Sequence, residues 1–157
     1  MEHASNDPGR DGVLVDGAVT RPSRLTAHDL GRLPQRTVTC TFRGSSGTRT
    51  HTYAGPLLLD VLHQAEPRFD PRIKADPVRY VITATGSDQQ QATLAWAEID
   101  PDFAGRAVLV ALTEDGRPAE GGRPRVVVPG DKCGGRYVAG LVRLHLSAPF
   151  PGGGARP

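Results

Sequence analysis

RPRVVVPGDKCGGRYVAGLVRLHL, residues 123–146, is the stretch from which the rest of the chain can be read. Its β-branched run Val126-Val127-Val128 is long enough for one buried strand and too short for a helix. Pro129 and Gly130 break that strand, and Asp131 to Arg136 form a loop with two adjacent glycines and three charges. Tyr137, Val138 and Leu141 then resume an apolar pattern, which finishes as alternation through Val142, Leu144 and Leu146. A strand thus delivers a glycine-rich charged loop to one edge of a core, and a second strand carries the chain back. Such a loop can offer backbone N–H groups and basic side chains to an anion; as a plain turn it would only leave Lys132 and Arg136 solvated.

Upstream, the same mixture of short strands and turns continues. Val13-Leu14-Val15 ahead of Asp16-Gly17 reads as a strand closed by a turn, extended through Arg21-Pro22 as an edge. Thr26 and Asp29 form a capping-box variant that opens a two-turn helix, stopped by Gly31 and Pro34. Thr37 to Phe42 alternates, placing Val38, Cys40 and Phe42 on one face, and Thr50 to Tyr53 is its hairpin return. Pro56 fits the first turn of a helix whose apolar stripe is Leu58, Val61, Leu62 and Ala65. Pro67 to Pro77 is a surface excursion. Arg79 to Thr85 is a strand, turned by Gly86-Ser87-Asp88 and answered by Gln91 to Leu94. Trp96 to Phe103 gives a short helical turn, and the continuous apolar run Ala107 to Leu112 predicts a strand covered on both faces. Asp115-Gly116 is a turn signal. The sum is an α+β domain, mainly β, over residues 12–148, with a loose segment at 1–11 and a tail at 149–157.

Composition narrows the function. A chain of 157 residues with 38% hydrophobic and 23% charged residues suits one soluble globular domain. Net charge is +2, arginine far outnumbers lysine, and no basic stripe interleaves with aromatics, so no nucleic-acid partner is expected. No segment approaches the ~18 apolar residues of a membrane span. The first residues lack the basic and apolar regions of a secretory signal, which makes the cytoplasm the expected compartment. Cys40 and Cys133 belong to no C-x-x-C pair, so a zinc knuckle is not expected. No P-loop, H-E-x-x-H or Ser-His-Asp order occurs.

Collinear pieces along some 130 residues resemble the molybdopterin-binding domain of the sulfite oxidase family, in its small stand-alone form. They are Leu14-Val15-Asp16-Gly17-Ala18-Val19 with Pro22; Leu25-Thr26 with Asp29-Leu30; and Tyr53-x-Gly55 leading to Leu58, Val61 and Leu62. Val81 with Gly86 and Asp88, Leu109-Val110-Ala111, Gly116-Arg117-Pro118, Pro124 to Gly130 and Gly135-Arg136-Tyr137-Val138 complete the series. The resemblance implies that family's fold, a molybdopterin cofactor and oxidoreductase chemistry.

Where the family carries a metal-ligating cysteine, this chain has Arg43 to Ser46; Cys40 falls about 13 Å back along the strand. The family's tyrosine is matched near Gln89 or Gln90, and its lysine and following aromatic near Ala139 and Gly140. The expected reading is therefore a degenerate member that binds a small anionic or pterin-like ligand without molybdenum ligation. Arg43, Lys132, Gly134, Gly135 and Arg136 are the expected ligand contacts, Arg136 being the better bidentate anion partner. Two alternatives stand beside it. One is an active molybdenum oxidoreductase, with Cys133 or Cys40 as substitute ligand; cations beside Cys133 would favour its thiolate. The other is a cofactor-free enzyme using His51, Asp88 or Asp131 as acid–base groups, Asp88 and Asp131 being a candidate carboxylate pair. A protein partner is compatible with each.

Overall fold

The structure, a computed structural model, describes residues 12–150. The expected loose segment 1–11, and residues 151–157 of the expected tail, lie outside the described residues. Eleven strands and three short α-helices make the α+β, mainly β, architecture that the sequence predicts.

The first sheet runs in the order β2 (Ser23–Leu25), β1 (Val13–Gly17), β11 (Leu141–Ser147), β5 (Val81–Gly86), β6 (Gln91–Ala95). The alternation at both ends of the chain is used here: Val13 and Val15 from β1, and Leu144 and Leu146 from β11, bury completely or nearly so. β1 pairs with β11 in parallel, Val15 beside Leu144, and β5 pairs with β11 antiparallel. Gly17 closes β1 with φ of 95°, and a Cβ there would run into the Leu146 carbonyl, so only glycine lets the two strands stay this close. On the polar face Asp16 accepts from Arg143 at 2.9 Å and meets His145 Nδ1 at 2.8 Å. β5 begins at Val81, two residues later than predicted. Arg79 instead ends a 3-10 turn, where its Nε bonds the buried Asp76.

A second layer is built on the long hairpin β3 (Gln35–Gly44) and β4 (Gly47–Pro56), continued by β8 (Thr113–Glu114) and β9 (Arg117–Pro118). Its register puts Val38 opposite Tyr53, Cys40 opposite His51 and Phe42 opposite Arg49. Residues directly opposite share a face. One side of the hairpin is therefore Cys40, Phe42, His51 and Tyr53, turned inward, and the other is a row of threonines.

The predicted capping box is present: helix α1 (Ala27–Gly31) has Thr26 and Asp29 bonded reciprocally. Helix α2 (Leu58–His63) corrects one expectation. Pro56 is the last residue of β4, paired with Gln35, and Leu57 caps the helix in extended conformation. A bridge from Leu57 to Leu109 holds that residue in the strand geometry. β7 (Leu109–Ala111) and β10 (Arg125–Val127) pair antiparallel, and all of β7 with Val126 and Val127 of β10 is fully buried, as the unbroken apolar runs predict. α3 (Trp96–Ile99) follows β6 directly and buries Trp96 and Ile99.

A cationic cavity at the hairpin tip

The inward face of the hairpin, the end of β8, the start of β10 and the glycine loop enclose a cavity of about 350 Å³. The hairpin supplies Phe42, Arg43, Arg49, His51 and Tyr53; β8 supplies Glu114, β10 supplies Arg125, and the loop supplies Cys133, Gly134 and Gly135. Alternation explains the first group. Arg49, His51 and Tyr53 are two residues apart on one strand and point to the same side.

The loop docks on the hairpin by backbone pairing. Arg43 N–H donates to the Lys132 carbonyl at 2.8 Å, and Arg43 and Cys133 form a parallel bridge. This pairing puts Cys133 Sγ 3.4 Å from Arg43 Nη2. Gly134 lies over Phe42 so closely that a Cβ would sit 3.1 Å from the ring. Phe42 in turn lies 4.3 Å from the Tyr137 ring, and Tyr137 Oη donates to the Val128 carbonyl. Burial, and then the neighbouring Cys40, push the Tyr137 hydroxyl well above its ordinary value. Burial and the Glu114 charge push Tyr53 up to about 12. Both phenols stay neutral; Tyr53 lines the cavity, and Tyr137 packs against Phe42.

The charges around the cavity are unequally matched. Arg125 Nη1 lies 3.7 Å from Glu114 Oε1. Among the described residues Arg49 Nη2 reaches only the Ser46 hydroxyl, at 2.8 Å, and the Arg43 side chain only the Cys133 sulfur. His51 Nδ1 is 2.7 Å from Asp115 Oδ2 and 3.8 Å from Glu114 Oε2. Asp115 also accepts from Thr52 N–H at 2.9 Å. That backbone bond first, and His51 second, hold its carboxyl below the ordinary range. His51, Glu114 and Asp115 are near enough to share a cation, although the arginines beside them oppose one.

Of the residues expected to form the site, Arg43, His51, Cys133, Gly134 and Gly135 line this cavity. Lys132 does not; it contributes its carbonyl to Arg43 and leaves its side chain exposed. Arg136 is turned away. Its Nε and Nη2 bond both oxygens of Asp131 at 2.9 Å, and its Nη1 bonds Glu98 at 3.1 Å. Hydrogen bonds donated to Asp131 and Glu98 raise the guanidinium further, and Arg136 lowers Asp131. Burial pushes Glu98 up, but bonds from Arg136 and Ala95 N–H outweigh it and leave that carboxyl low. Asp131 therefore pairs with Arg136 and not with Asp88, whose carboxylate caps its own turn through Gln90 N–H at 3.0 Å. Cys40 is buried beneath the hairpin and does not line the cavity.

Arg49, Tyr53, Glu114, Asp115 and Arg125 were not singled out from the sequence. Arg49 and Tyr53 could have been, since they share the alternation of His51; Glu114 and Arg125 reach the cavity, and Asp115 reaches His51, through pairings between distant strands. Gln90, where the family's tyrosine was expected, donates to the Gly135 carbonyl at 3.2 Å and so does stand beside the loop.

For a molybdopterin-type group these residues fit in part. Arg43, Arg49 and the Gly134-Gly135 backbone suit an anionic end. The hairpin tip, Arg43 to Ser46, offers no thiolate for a metal, and the thiol in the cavity, Cys133, comes from the opposite loop.

A family model described as an oxidoreductase molybdopterin binding domain matches residues 6–150. No protein of curated function matches the chain by sequence. Among solved structures, the sulfane dehydrogenase SoxCD from Paracoccus pantotrophus superposes with a TM-score of 0.73 at 18% identity. The match covers 99% of this chain and 41% of that one. At such identity the likeness shows the fold.

Proposed function

From the premise that the chain belongs to the oxidoreductase molybdopterin-binding domain family, we propose that it holds a small anionic or pterin-like ligand in the hairpin-tip cavity without ligating molybdenum. One observation carries this reading. Three guanidinium groups line the cavity against one lining carboxylate, and among the described residues neither Arg43 nor Arg49 has an acidic partner. Uncompensated arginines around a glycine-rich backbone are a receptor for phosphate-like or carboxylate oxygens. Gly134 and Gly135 let the ligand approach the main chain.

The family's cofactor, when bound, supplies two-electron oxidation and reduction at its metal. In this chain Arg43 and Arg49 would hold its anionic end, and the sulfur nearest to it is that of Cys133. Among the described residues no helix is long and apolar enough to cross a membrane. The cytoplasm as compartment, and a protein partner, belong to the same proposal.

Elemental analysis for molybdenum, with pterin fluorescence after acid release, tests the reading on protein made in a cofactor-competent host. Metal far below one per chain is expected, together with phosphate binding measurable by calorimetry. Replacing Arg43 and Arg49 together by alanine is expected to weaken phosphate roughly tenfold or more. Stoichiometric molybdenum would overturn the proposal.

A further inference from the structure

Strand β3 is the outer strand of its sheet, and its backbone accounting leaves one edge open. In the hairpin Gly44 pairs with Gly47 across the two-residue turn, so even-numbered residues of β3 exchange their hydrogen bonds with β4. Odd-numbered residues then point their N–H and C=O groups away from β4. Arg43 confirms the phase, since its N–H reaches outward to Lys132. On the opposite strand the even-numbered carbonyls of Thr52 and Ala54 are likewise directed away from β3, accepting from Asp115 and Leu112. Thr37, Thr39 and Thr41 therefore present outward backbone groups for which the described residues provide no partner, and all three are exposed.

Natural edges are blunted by proline, lysine, a bulge or a covering segment. Among the described residues Thr37 to Thr41 has none of these, and the glycine loop covers the edge only at Arg43. The stretch is also close to a palindrome. Thr37-Val38-Thr39-Cys40-Thr41 reads as threonine and small apolar residue in strict alternation from either end.

We infer that this edge is a self-complementary surface, where β3 of a second copy of the chain pairs antiparallel about a two-fold axis at Thr39. In that register Thr39 exchanges both backbone bonds with its symmetry mate, and Thr37 faces the second copy's Thr41. Arginine never faces arginine: Arg36 falls opposite Phe42, and Arg43 stays paired with the glycine loop beyond the shared edge. The hydroxyl row already present, Thr39 to Thr52 at 3.0 Å and Thr41 to Thr50 at 2.9 Å, continues across the junction as threonine cross-strand pairs. The two four-stranded sheets become one, with both cavities on its inward face. The shared edge is five residues long and covers less than a standard interface, so the pairing is weak and concentration-dependent.

Sedimentation equilibrium on the full chain is expected to show reversible growth from 16.7 kDa toward twice that mass as concentration rises. Hydrogen exchange read by NMR is expected to show the Thr37, Thr39 and Thr41 amides gaining protection with concentration while those of Val38, Cys40 and Phe42 do not change. Thr39→Pro removes an outward N–H without touching the β3–β4 ladder. It is expected to keep the thermal midpoint and to weaken the dimer about tenfold or more, the loss of two backbone bonds. Should Thr39→Pro fail to fold, the exchange pattern of the unaltered chain decides alone. A chain that stays monomeric up to its solubility limit overturns the inference, as does a dimer that leaves the three threonine amides unprotected.

Discussion

Two groups of arginines lie on either side of the glycine loop, and they have been put to opposite uses. Behind the loop, Arg136 is closed in by Asp131 and Glu98, with Arg106 at 3.7 and 3.8 Å from the same two acids. In front of it, Arg43 and Arg49 meet a sulfur and a hydroxyl and, among the described residues, no carboxylate. The residue type is the same in both places. What separates a strut from a receptor is whether the fold has already supplied the counter-charge. A cation satisfied from within can stiffen the loop but cannot take a ligand, and one left unsatisfied at a cavity wall can.

The contrast is most severely tested by removing the strut. Arg136→Ala leaves Asp131 and Glu98 without their bidentate partner, and a loss of about 1–3 kcal/mol is expected, discounted for partial exposure. Thermal unfolding should register it as a drop of several degrees. An unchanged midpoint would mean that the clamp is ornamental.

Acid should dismantle the same clamp by another route. The carboxyls of Asp131 and Glu98 are held below their ordinary values of 3.8 and 4.5. A depressed carboxyl contributes stability that is complete above its unfolded value and is lost as pH falls through its folded one. Denaturant melts should therefore weaken as pH falls below about 4, and Arg136→Ala should show a shallower fall than the unaltered chain. Parallel pH curves for the two proteins would count against the clamp.

A smaller effect is expected where the loop meets the hairpin. In Gly134→Ala the new methyl presses on the Phe42 ring, which must shift by a few tenths of an ångström. A cost of about 1 kcal/mol or less is expected, with weaker phosphate binding because the backbone is held off from the ligand. Smallest of all is the effect of Arg43→Ala or Arg49→Ala on stability, within about 0.5 kcal/mol. A destabilisation as large as that of Arg136→Ala would erase the distinction between the two groups.

Much of this organisation is legible in the chain because it is local. Alternation at Val38, Cys40 and Phe42 gives the inward face of the hairpin, and Thr26 with Asp29 gives the helix start. The unbroken Leu109 to Ala111 run gives a strand hidden on both sides. The counter-charges are less legible. Asp131 is five residues from Arg136 and could have been suspected, but Glu98 is 38 residues away, in the helix α3 that follows β6. Asp115 reaches His51 because β8 pairs with β4, and Arg125 reaches the cavity because β10 pairs with β7. Strand order is a property of the whole fold, and no window of sequence contains it. Arg136 was therefore read as a ligand contact on grounds of chemistry alone, and its own neighbours had already claimed it.

The position of β11 in the first sheet has a consequence for how the molecule is made. Leu141–Ser147 leaves the ribosome after the ten other described strands, yet it lies at the middle of five, with β1 on one side and β5 on the other. Until it arrives, those two halves have no common seam, and apolar surface on each stays open to the wrong neighbour. The nascent chain must hold its halves apart and unaggregated until β11 zips them together, so a stop introduced before Leu141 removes the keystone of this sheet and not a fringe.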